Sequence, residues 1–287
     1  MLRWLNIGVG AAVAALGALA PIGAAQTLPA AERATTPAAT LIYGPAERQR
    51  VDLYRPASGG SGRPLVLFIH GGGWAAGSRH AVYAMPDWAS RANIWFGTVG
   101  YRLLPQATVE AQAADIGAAI RQAQREARRH GYDGRRIILM GHSSGAHLAA
   151  LVATDRRYAG TAFAAIRAVI TIDGSAFHVP VQLASGQGQV MQLFHNAFGA
   201  DPKRQAALSP ALQAGAGDVP RWLIIHVAGR GGAAAQAVLL AAPLREAGIS
   251  VTVKPIPGDH MGVLGSFGAP GYPANAEFDA LVRAVAE

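Results

Sequence analysis

The chain has 287 residues, of which 51% are hydrophobic and 15% charged; this excludes a disordered chain and allows one large or two small domains. It contains no cysteine, which excludes disulfides, thiolate metal sites, a lipidated cysteine and a cysteine nucleophile. The net charge of +8 is compatible with binding to nucleic acid. Because no aromatic residues interleave the short arginine runs, we predict no nucleic-acid partner.

The first 25 residues have the layout of a secretory signal peptide. Arg3 precedes an apolar stretch at 4–20, and small residues precede a predicted cleavage after Ala25. A retained anchor is the alternative, but the apolar stretch is shorter than the roughly 20 residues of a membrane span. Residues 26–40, rich in Pro, Ala and Thr, are predicted to be a flexible lead-in to a domain over 41–287. We therefore expect export to a bacterial periplasm or medium, with no stable membrane anchor after cleavage.

Apolar strand-like runs then alternate with longer Ala-rich helical segments. Buried strands are predicted at 65–69, 94–99, 137–140, 168–172, 222–227 and 251–256. Helices are predicted at 109–129, 144–153 and 233–247. This alternation predicts an α/β fold with a mostly parallel central sheet and helices on both faces, and 50–54 as an antiparallel edge strand. Ligands of such sheets bind at the carboxyl ends of the strands, so the residues just after each strand are the candidates for function.

The sequence Gly141-His142-Ser143-Ser144-Gly145 lies between a predicted strand and a predicted helix. A G-x-S-x-G pattern in this context is typical of a nucleophile elbow, a sharp turn that presents the serine hydroxyl above the sheet. The glycines remove side chains that would clash at the turn. A chance match in a glycine-rich chain is the alternative, but the pattern occurs once and in the required context. We predict Ser143 as the nucleophile.

A second glycine run, His70-Gly71-Gly72-Gly73-Trp74, follows the strand at 65–69. Glycines let the backbone approach a substrate oxygen closely, and an HGGG run at a strand end accompanies the nucleophile elbow. The N–H groups of Gly72, Gly73 and Ser144 are predicted to form an oxyanion hole. A phosphate-binding loop is disfavoured because no G-K-[ST] follows, and a plain glycine turn would not require the flanking His and Trp.

His260 lies in the loop after the last predicted strand, at 251–256. This is the expected place for the general base in the chain order Ser, acid, His. His178, after the strand at 168–172, is a distant second choice. No paired metal-ligand spacing stands out among the nine histidines, so no metal ion and no cofactor are predicted.

These motifs resemble the α/β-hydrolases, in particular the bifunctional feruloyl and acetylxylan esterase-like branch close to the hormone-sensitive-lipase type. The resemblance runs from about residue 41 to the C-terminus and also rests on Tyr101-Arg102-Leu103-Leu104-Pro105, Asp115-Ile116, Leu208-Ser209-Pro210 and Gly258-Asp259-His260. It implies the α/β-hydrolase fold and hydrolysis of carboxylic esters without a cofactor. Small-molecule esters and polysaccharide-linked acetyl or feruloyl esters are the substrate classes it suggests.

The resemblance places the triad acid in the loop after the strand at 222–227, yet this loop, 228–233, contains no Asp or Glu. Asp173, at the end of the strand at 168–172, is the preferred replacement because some lipases carry their acid there; a purely structural carboxylate is its alternative. Asp259 adjoins His260, but neighbours in a chain rarely orient each other well. A Ser–His dyad, or a barely active protein, is the remaining alternative.

The sequence thus predicts an exported serine esterase that forms an acyl-enzyme on Ser143. An acid-deficient binding protein of the same fold, and a hydrolase of amide, lactone or formamide bonds, are the alternatives. Segment 177–217 is long enough for part of a lid or pocket wall. Met191, Phe194, Phe198 and Trp74 are candidates for that wall, with core packing as the alternative for the first three.

Overall fold

A sheet of eight strands organises the computed structural model, which describes residues 36–186 and 188–287. The strands are β1 (Ala39–Ile42), β2 (Arg50–Tyr54), β3 (Leu65–Ile69), β4 (Trp95–Val99), β5 (Ile137–His142), β6 (Ile166–Ile172), β7 (Arg221–Val227) and β8 (Ser250–Ile256). Their order across the sheet is β1-β2-β4-β3-β5-β6-β7-β8. β2 pairs antiparallel with β1 and β4, and all other neighbours are parallel. The predicted mostly parallel sheet is confirmed.

Helices fill most of the connections between the strands. They are α1 (Met85–Arg91), α2 (Val109–His130), α3 (Ser144–Thr154), α4 (Arg156–Ala159), α5 (Val179–Ala184), α6 (Gln189–Phe198), α7 (Pro202–Ala207), α8 (Pro210–Gln213), α9 (Gly231–Glu246), α10 (Gly262–Gly265) and α11 (Asn275–Ala286). The ends of α2 follow from local chemistry, since the Thr108 hydroxyl caps its first turn and Gly131, with φ 96°, ends it. None of the helices in the described ranges has the length and apolar character needed to cross a bilayer.

The strands bury side chains on both faces of the sheet. Alternate residues of β3 show the division: Leu65 and Leu67 pack into one hydrophobic cluster, and Val66 and Phe68 pack into another. The first cluster includes residues of α2, α3 and α9, and the second includes residues of α1 and α11. Burial on both faces explains why the central strands read as continuous apolar runs rather than as alternating patterns.

The antiparallel edge differs from the prediction. β2 is antiparallel as expected, but the predicted edge position of 50–54 is wrong because β1 pairs along its outer side. The Thr40 hydroxyl donates a 2.7 Å hydrogen bond to Asp52, which adds a side-chain contact to this pair. β1 begins at Ala39, two residues inside the predicted lead-in. The predicted signal peptide and residues 26–35 lie outside the described residues, and their assignment stays a prediction.

Candidate active site

The turn between β5 and α3 places Ser143 above the carboxyl edge of the sheet. Its backbone has φ 56° and ψ −122°, a conformation that non-glycine residues rarely adopt. The Ser143 N–H donates to the carbonyl of Ile172 at 3.0 Å, which ties the turn to the end of β6. A Cβ added at Gly145 would lie 2.1 Å from the Ile69 carbonyl oxygen, and one at Gly141 would lie 2.2 Å from the Gly145 carbonyl oxygen. Both flanking glycines are therefore required by close backbone approach.

The structure brings Ser143, His260 and Asp173 together in one hydrogen-bonded chain. His260 Nε2 lies 3.0 Å from Ser143 Oγ, and His260 Nδ1 lies 2.6 Å from Asp173 Oδ2. The three residues follow β5, β6 and β8, whose carboxyl ends meet at the same edge of the sheet. Nucleophile, base and acid in this order, each within hydrogen-bonding distance of the next, can transfer a proton away from the serine hydroxyl.

Asp173 is held as an anion beneath the histidine. Its side chain is fully buried, and its Oδ1 accepts a 3.0 Å hydrogen bond from the Val227 N–H. Burial by itself raises the pKa of this carboxyl. Hydrogen bonds from His260 and Val227, together with the charge of Arg230, outweigh burial and hold the pKa of Asp173 below its usual range. An ionised carboxylate at this position can orient the imidazole and stabilise an imidazolium.

The other candidates for acid and base have different contacts. Asp259 Oδ1 accepts from the N–H groups of Met261 and Gly262 at 3.0 and 2.8 Å, so this carboxylate caps its own loop. His178 caps α5, where its Nδ1 accepts from the Val181 N–H at 3.4 Å. Within the described ranges, no group of three or more His, Cys, Asp or Glu side chains is arranged to hold a metal ion.

Two contacts to His260 were missed by sequence reasoning. His142 Nε2 donates a 2.8 Å hydrogen bond to the His260 carbonyl and so ties the histidine loop to the end of β5. Arg230, in the loop after β7, contacts Asp173 Oδ2, and its Nη1 lies 2.7 Å from His260 Nδ1. The position of Arg230 in the sequence could have identified it, because it lies in the loop where the resemblance expects an acid and a cation is found instead.

The glycine loop after β3 runs alongside Ser143. A Cβ added at Gly71 would lie 3.0 Å from the Ser143 Cβ, and Gly72 and Gly73 have φ values of 126° and 59°. Among the described residues, the N–H groups of Gly72, Gly73 and Ser144 donate no hydrogen bond to a backbone carbonyl. Ser144 begins α3, where the first amides have no partner within the helix and the helix dipole is positive. These three N–H groups thus have no backbone acceptor, as the donors of an oxyanion hole require.

Trp74 anchors the glycine loop to α3. Its Nε1 donates to His147 Nδ1 at 3.3 Å, and His147 Nε2 donates to the Leu208 carbonyl at 2.9 Å. Because an indole N–H can only donate, His147 must be neutral. The rings of Phe194 and Phe198 pack edge-on against Trp74 at centroid distances of 5.5 and 4.9 Å.

The residues considered for a pocket wall are part of the protein core. Trp74, Met191, Phe194 and Phe198 are all buried within one hydrophobic cluster. The residue of α6 beside the glycine loop is instead Leu193, whose Cδ1 lies 3.3 Å from a Cβ added at Gly73 and whose side chain is exposed. Core packing thus accounts for the aromatic residues of α6, while Leu193 borders the site.

Comparisons with known proteins agree with the fold described above. The BD-FAE family model matches residues 51–164, a range that includes the glycine loop and Ser143. The crystal structure of esterase B from Lactobacillus rhamnosis aligns with a TM-score of 0.71 and 22% identity over 86% of this chain and 85% of that one. The chain shares the α/β-hydrolase fold of that esterase. The fold that the resemblance implied is confirmed. The partial match to the BD-FAE family model supports the resemblance itself, and feruloyl or acetylxylan specificity stays a prediction.

The chain also has curated relatives that match part of its length. A probable isoprenylcysteine alpha-carbonyl methylesterase of Arabidopsis thaliana is 31% identical over 117 residues, covering 41% of this chain and 25% of the relative. The carboxylic ester hydrolase LipN of Mycobacterium tuberculosis is 37% identical over 125 residues, covering 42% of this chain and 33% of the relative. The chain thus spans a third or less of these relatives.

Proposed function

We propose that this chain is an α/β-hydrolase and a serine hydrolase that cleaves carboxylic esters through an acyl-enzyme on Ser143. The observation that carries the proposal is the chain from Ser143 Oγ to His260 Nε2 at 3.0 Å and from His260 Nδ1 to Asp173 Oδ2 at 2.6 Å. The names of the curated relatives, a methylesterase and a carboxylic ester hydrolase, support the ester as the bond that is cleaved.

The geometry supports acylation in two proton transfers. Ser143 Oγ attacks the ester carbonyl carbon while His260 Nε2 takes the hydroxyl proton, and Asp173 stabilises the resulting imidazolium. The carbonyl oxygen becomes an oxyanion, which the N–H groups of Gly72, Gly73 and Ser144 bind. When the carbonyl re-forms, the bond to the leaving alkoxide breaks and the alkoxide takes the proton from His260.

Deacylation repeats these steps with water as the nucleophile. His260 takes a proton from water, the hydroxide oxygen adds to the acyl carbon, and the same three N–H groups bind the second oxyanion. Collapse of that intermediate breaks the bond to Ser143 Oγ, which regains its proton from His260. The product is a carboxylic acid, and the cycle consumes one water and needs no cofactor.

A finer substrate class and a location follow from the sequence. The resemblance to feruloyl and acetylxylan esterases favours short acyl groups on small molecules or polysaccharides. Two exposed apolar side chains, Leu193 beside the glycine loop and Met261 next to His260 in the chain, support access for an ester at the surface. We propose export to a bacterial periplasm or medium on the basis of the signal-peptide layout at 1–25.

The binding-protein alternative was motivated by a missing acid. Asp173 occupies the position of an acid, because its carboxylate is ionised, buried and 2.6 Å from the His260 ring. These contacts support the enzyme over the binding protein. Hydrolysis of an amide, lactone or formamide uses the same nucleophile, base and oxyanion groups, so only a comparison of substrates separates these reactions from ester cleavage.

The test is hydrolysis of p-nitrophenyl esters, from acetate to octanoate, by the full chain and by Ser143→Ala. We expect turnover of the short esters and at least a ~10⁴-fold loss in the variant, the order of the contribution of a serine triad. Ser250→Ala, an exposed serine at the start of β8, is the matched control and should retain full activity. A fluorophosphonate should label Ser143 alone.

Two results would overturn the proposal: undiminished turnover by Ser143→Ala, or failure of the folded wild-type chain both to hydrolyse any ester and to react with the fluorophosphonate. An anilide, a lactone and an N-formyl substrate assayed beside the esters decide the bond. Faster cleavage of one of these than of every ester would reassign the reaction while leaving the nucleophile unchanged.

A further inference from the structure

Arg230 lies in the loop after β7 and touches both members of the acid–base pair. One guanidinium nitrogen, Nη1, contacts Asp173 Oδ2 and lies 2.7 Å from His260 Nδ1. The side chain is 41% exposed, so it reaches the pair from the solvent side of the site. We propose that Arg230 is a positioning residue: held at the Asp173 carboxylate, its charge opposes a positive charge on His260, which lets the site work at lower pH. This inference rests on the proposed serine-hydrolase function.

The position of one proton decides which hydrogen bonds the His260 ring makes. When Nδ1 carries the proton, it donates to Asp173 Oδ2, and the bare Nε2 faces Ser143 Oγ as a base. When Nδ1 is bare, it can accept from Arg230, since a guanidinium only donates. Nε2 then carries the proton and cannot accept one from Ser143. Asp173 favours the productive tautomer, and Arg230 competes with it for the same ring nitrogen.

Arg230 also changes the charge balance around the imidazole. A doubly protonated His260 is stabilised by the Asp173 carboxylate and destabilised by the neighbouring guanidinium. Asp173 retains a second fixed donor in the Val227 N–H, so its orientation does not depend on Arg230 alone. Loss of Arg230 should therefore shift the pH at which His260 becomes protonated. It should have a smaller effect on the geometry of the Asp173–His260 pair.

The remaining groups that face His260 do not replace this charge. His142, at the end of β5, has its ring centroid 4.6 Å from that of His260 and is neutral, because burial and then the His260 charge lower its pKa to about 3. Tyr272, whose phenol is influenced by the Asp173 charge, is neutral, since burial and then that charge raise its pKa. The exposed Asp259 carboxylate is bonded to the N–H groups of its own loop.

Removal of the Arg230 charge should displace the acid limb of the pH–rate profile. The base must be unprotonated in the free enzyme, and without the guanidinium the imidazolium forms more easily. In Arg230→Gln the midpoint of the acid limb of kcat/KM should therefore move to higher pH by about one unit, a value reduced for the partial exposure of the side chain. Arg230→Lys keeps the charge and should keep the wild-type midpoint.

The experiment measures kcat/KM for p-nitrophenyl acetate from about pH 4.5 to 8.5 with the full chain, Arg230→Gln, Arg230→Lys and Arg135→Gln. Arg135, with 87% of its side chain exposed and its ion pair made to Asp133, controls for the change in net charge. Where turnover is slow, the pH dependence of fluorophosphonate labelling of Ser143 gives the same midpoint.

An Arg230→Gln profile with the wild-type midpoint, including one that is only scaled down at every pH, would overturn the role of Arg230. So would an equal shift in Arg135→Gln. Ser143→Ala separates this result from the broader proposal. An active Ser143→Ala rejects the serine hydrolase itself, whereas an inactive Ser143→Ala combined with an unshifted Arg230→Gln rejects only the role of Arg230.

Discussion

Replacement of Asp173 by Asn tests the acid directly, because it removes the charge and keeps the shape. The Val227 N–H lies 3.0 Å from Oδ1 and cannot turn away, so in Asp173→Asn the amide oxygen must stay on that side. The amide NH₂ group then faces His260 Nδ1, where the carboxylate had presented an acceptor. The imidazole is driven to the tautomer with its proton on Nε2, and it can no longer take the proton of Ser143.

The expected loss in kcat is about 10⁴-fold, the size seen when a triad carboxylate becomes an amide. This corresponds to about 5.5 kcal/mol of transition-state stabilisation. Folding should suffer much less, by about 1–2 kcal/mol, because Arg230 is partly exposed and can turn to water. The assay is kcat for p-nitrophenyl acetate beside a urea unfolding curve, so that inactivity is not confused with unfolding.

Asp259→Asn is the matched control. Asp259 is next to His260 in the chain, but its carboxylate accepts hydrogen bonds from the Met261 and Gly262 N–H groups. We expect kcat to stay within about threefold of wild type, with a loss of about 1 kcal/mol in stability from the weakened cap. Retention of more than about a tenth of the wild-type kcat by Asp173→Asn, or a larger loss in Asp259→Asn, would refute the assignment of Asp173 as the acid.

Two further predictions concern folding. Gly145→Ala would place a Cβ 2.1 Å from the Ile69 carbonyl oxygen, so we expect its free energy of unfolding in urea to fall by about 3 kcal/mol or more. Gly231→Ala, whose Cβ meets nothing within 4 Å, is the control and should stay within about 1 kcal/mol of wild type. Equal effects of the two substitutions would contradict the close approach at Gly145. The second prediction concerns pH: burial lowers the pKa of His70 and His147 to about 4 and, with the His260 charge, that of His142 to about 3. The unfolded chain therefore binds more protons, and the stability from these groups is fully present above about pH 6.5 and is lost as the pH falls toward 4. Asp218, whose pKa burial raises to about 6, binds a proton when folded and offsets one of the three. The free energy of unfolding should fall by about 2–3 kcal/mol per pH unit between about pH 6 and 4.5. His147→Gln should reduce that slope by about half. A free energy of unfolding that does not change over this pH range would contradict the assignment of these histidines as neutral.

The sequence by itself determined the elements whose signal is local. The six predicted parallel strands lie within one or two residues of those observed. Five of them, β3 to β7, are largely buried, and strands covered on both faces must be largely apolar; β8, at the sheet edge, is exposed or half-buried along most of its length. The positions of Gly141 and Gly145 were equally readable, since a turn with backbone contacts of 2.1–2.2 Å to any added Cβ admits only glycine. Such constraints act within a few residues and leave their mark in the order of the amino acids.

Only the tertiary structure decided which groups meet. Asp173 and His260 are 87 residues apart, and Asp173, Asp259 or no acid at all were compatible with the sequence. The order β5-β6-β7-β8 places the end of β6 within reach of the His260 loop, and the Asx-type bonds of Asp259 turn that carboxylate away. The pairing of β1 with β2 and the contact of Arg230 with Asp173 were likewise decided only by the tertiary structure. Each depends on strands or loops joined through space, and pairing between distant segments is a property of the packed sheet, which local composition does not specify.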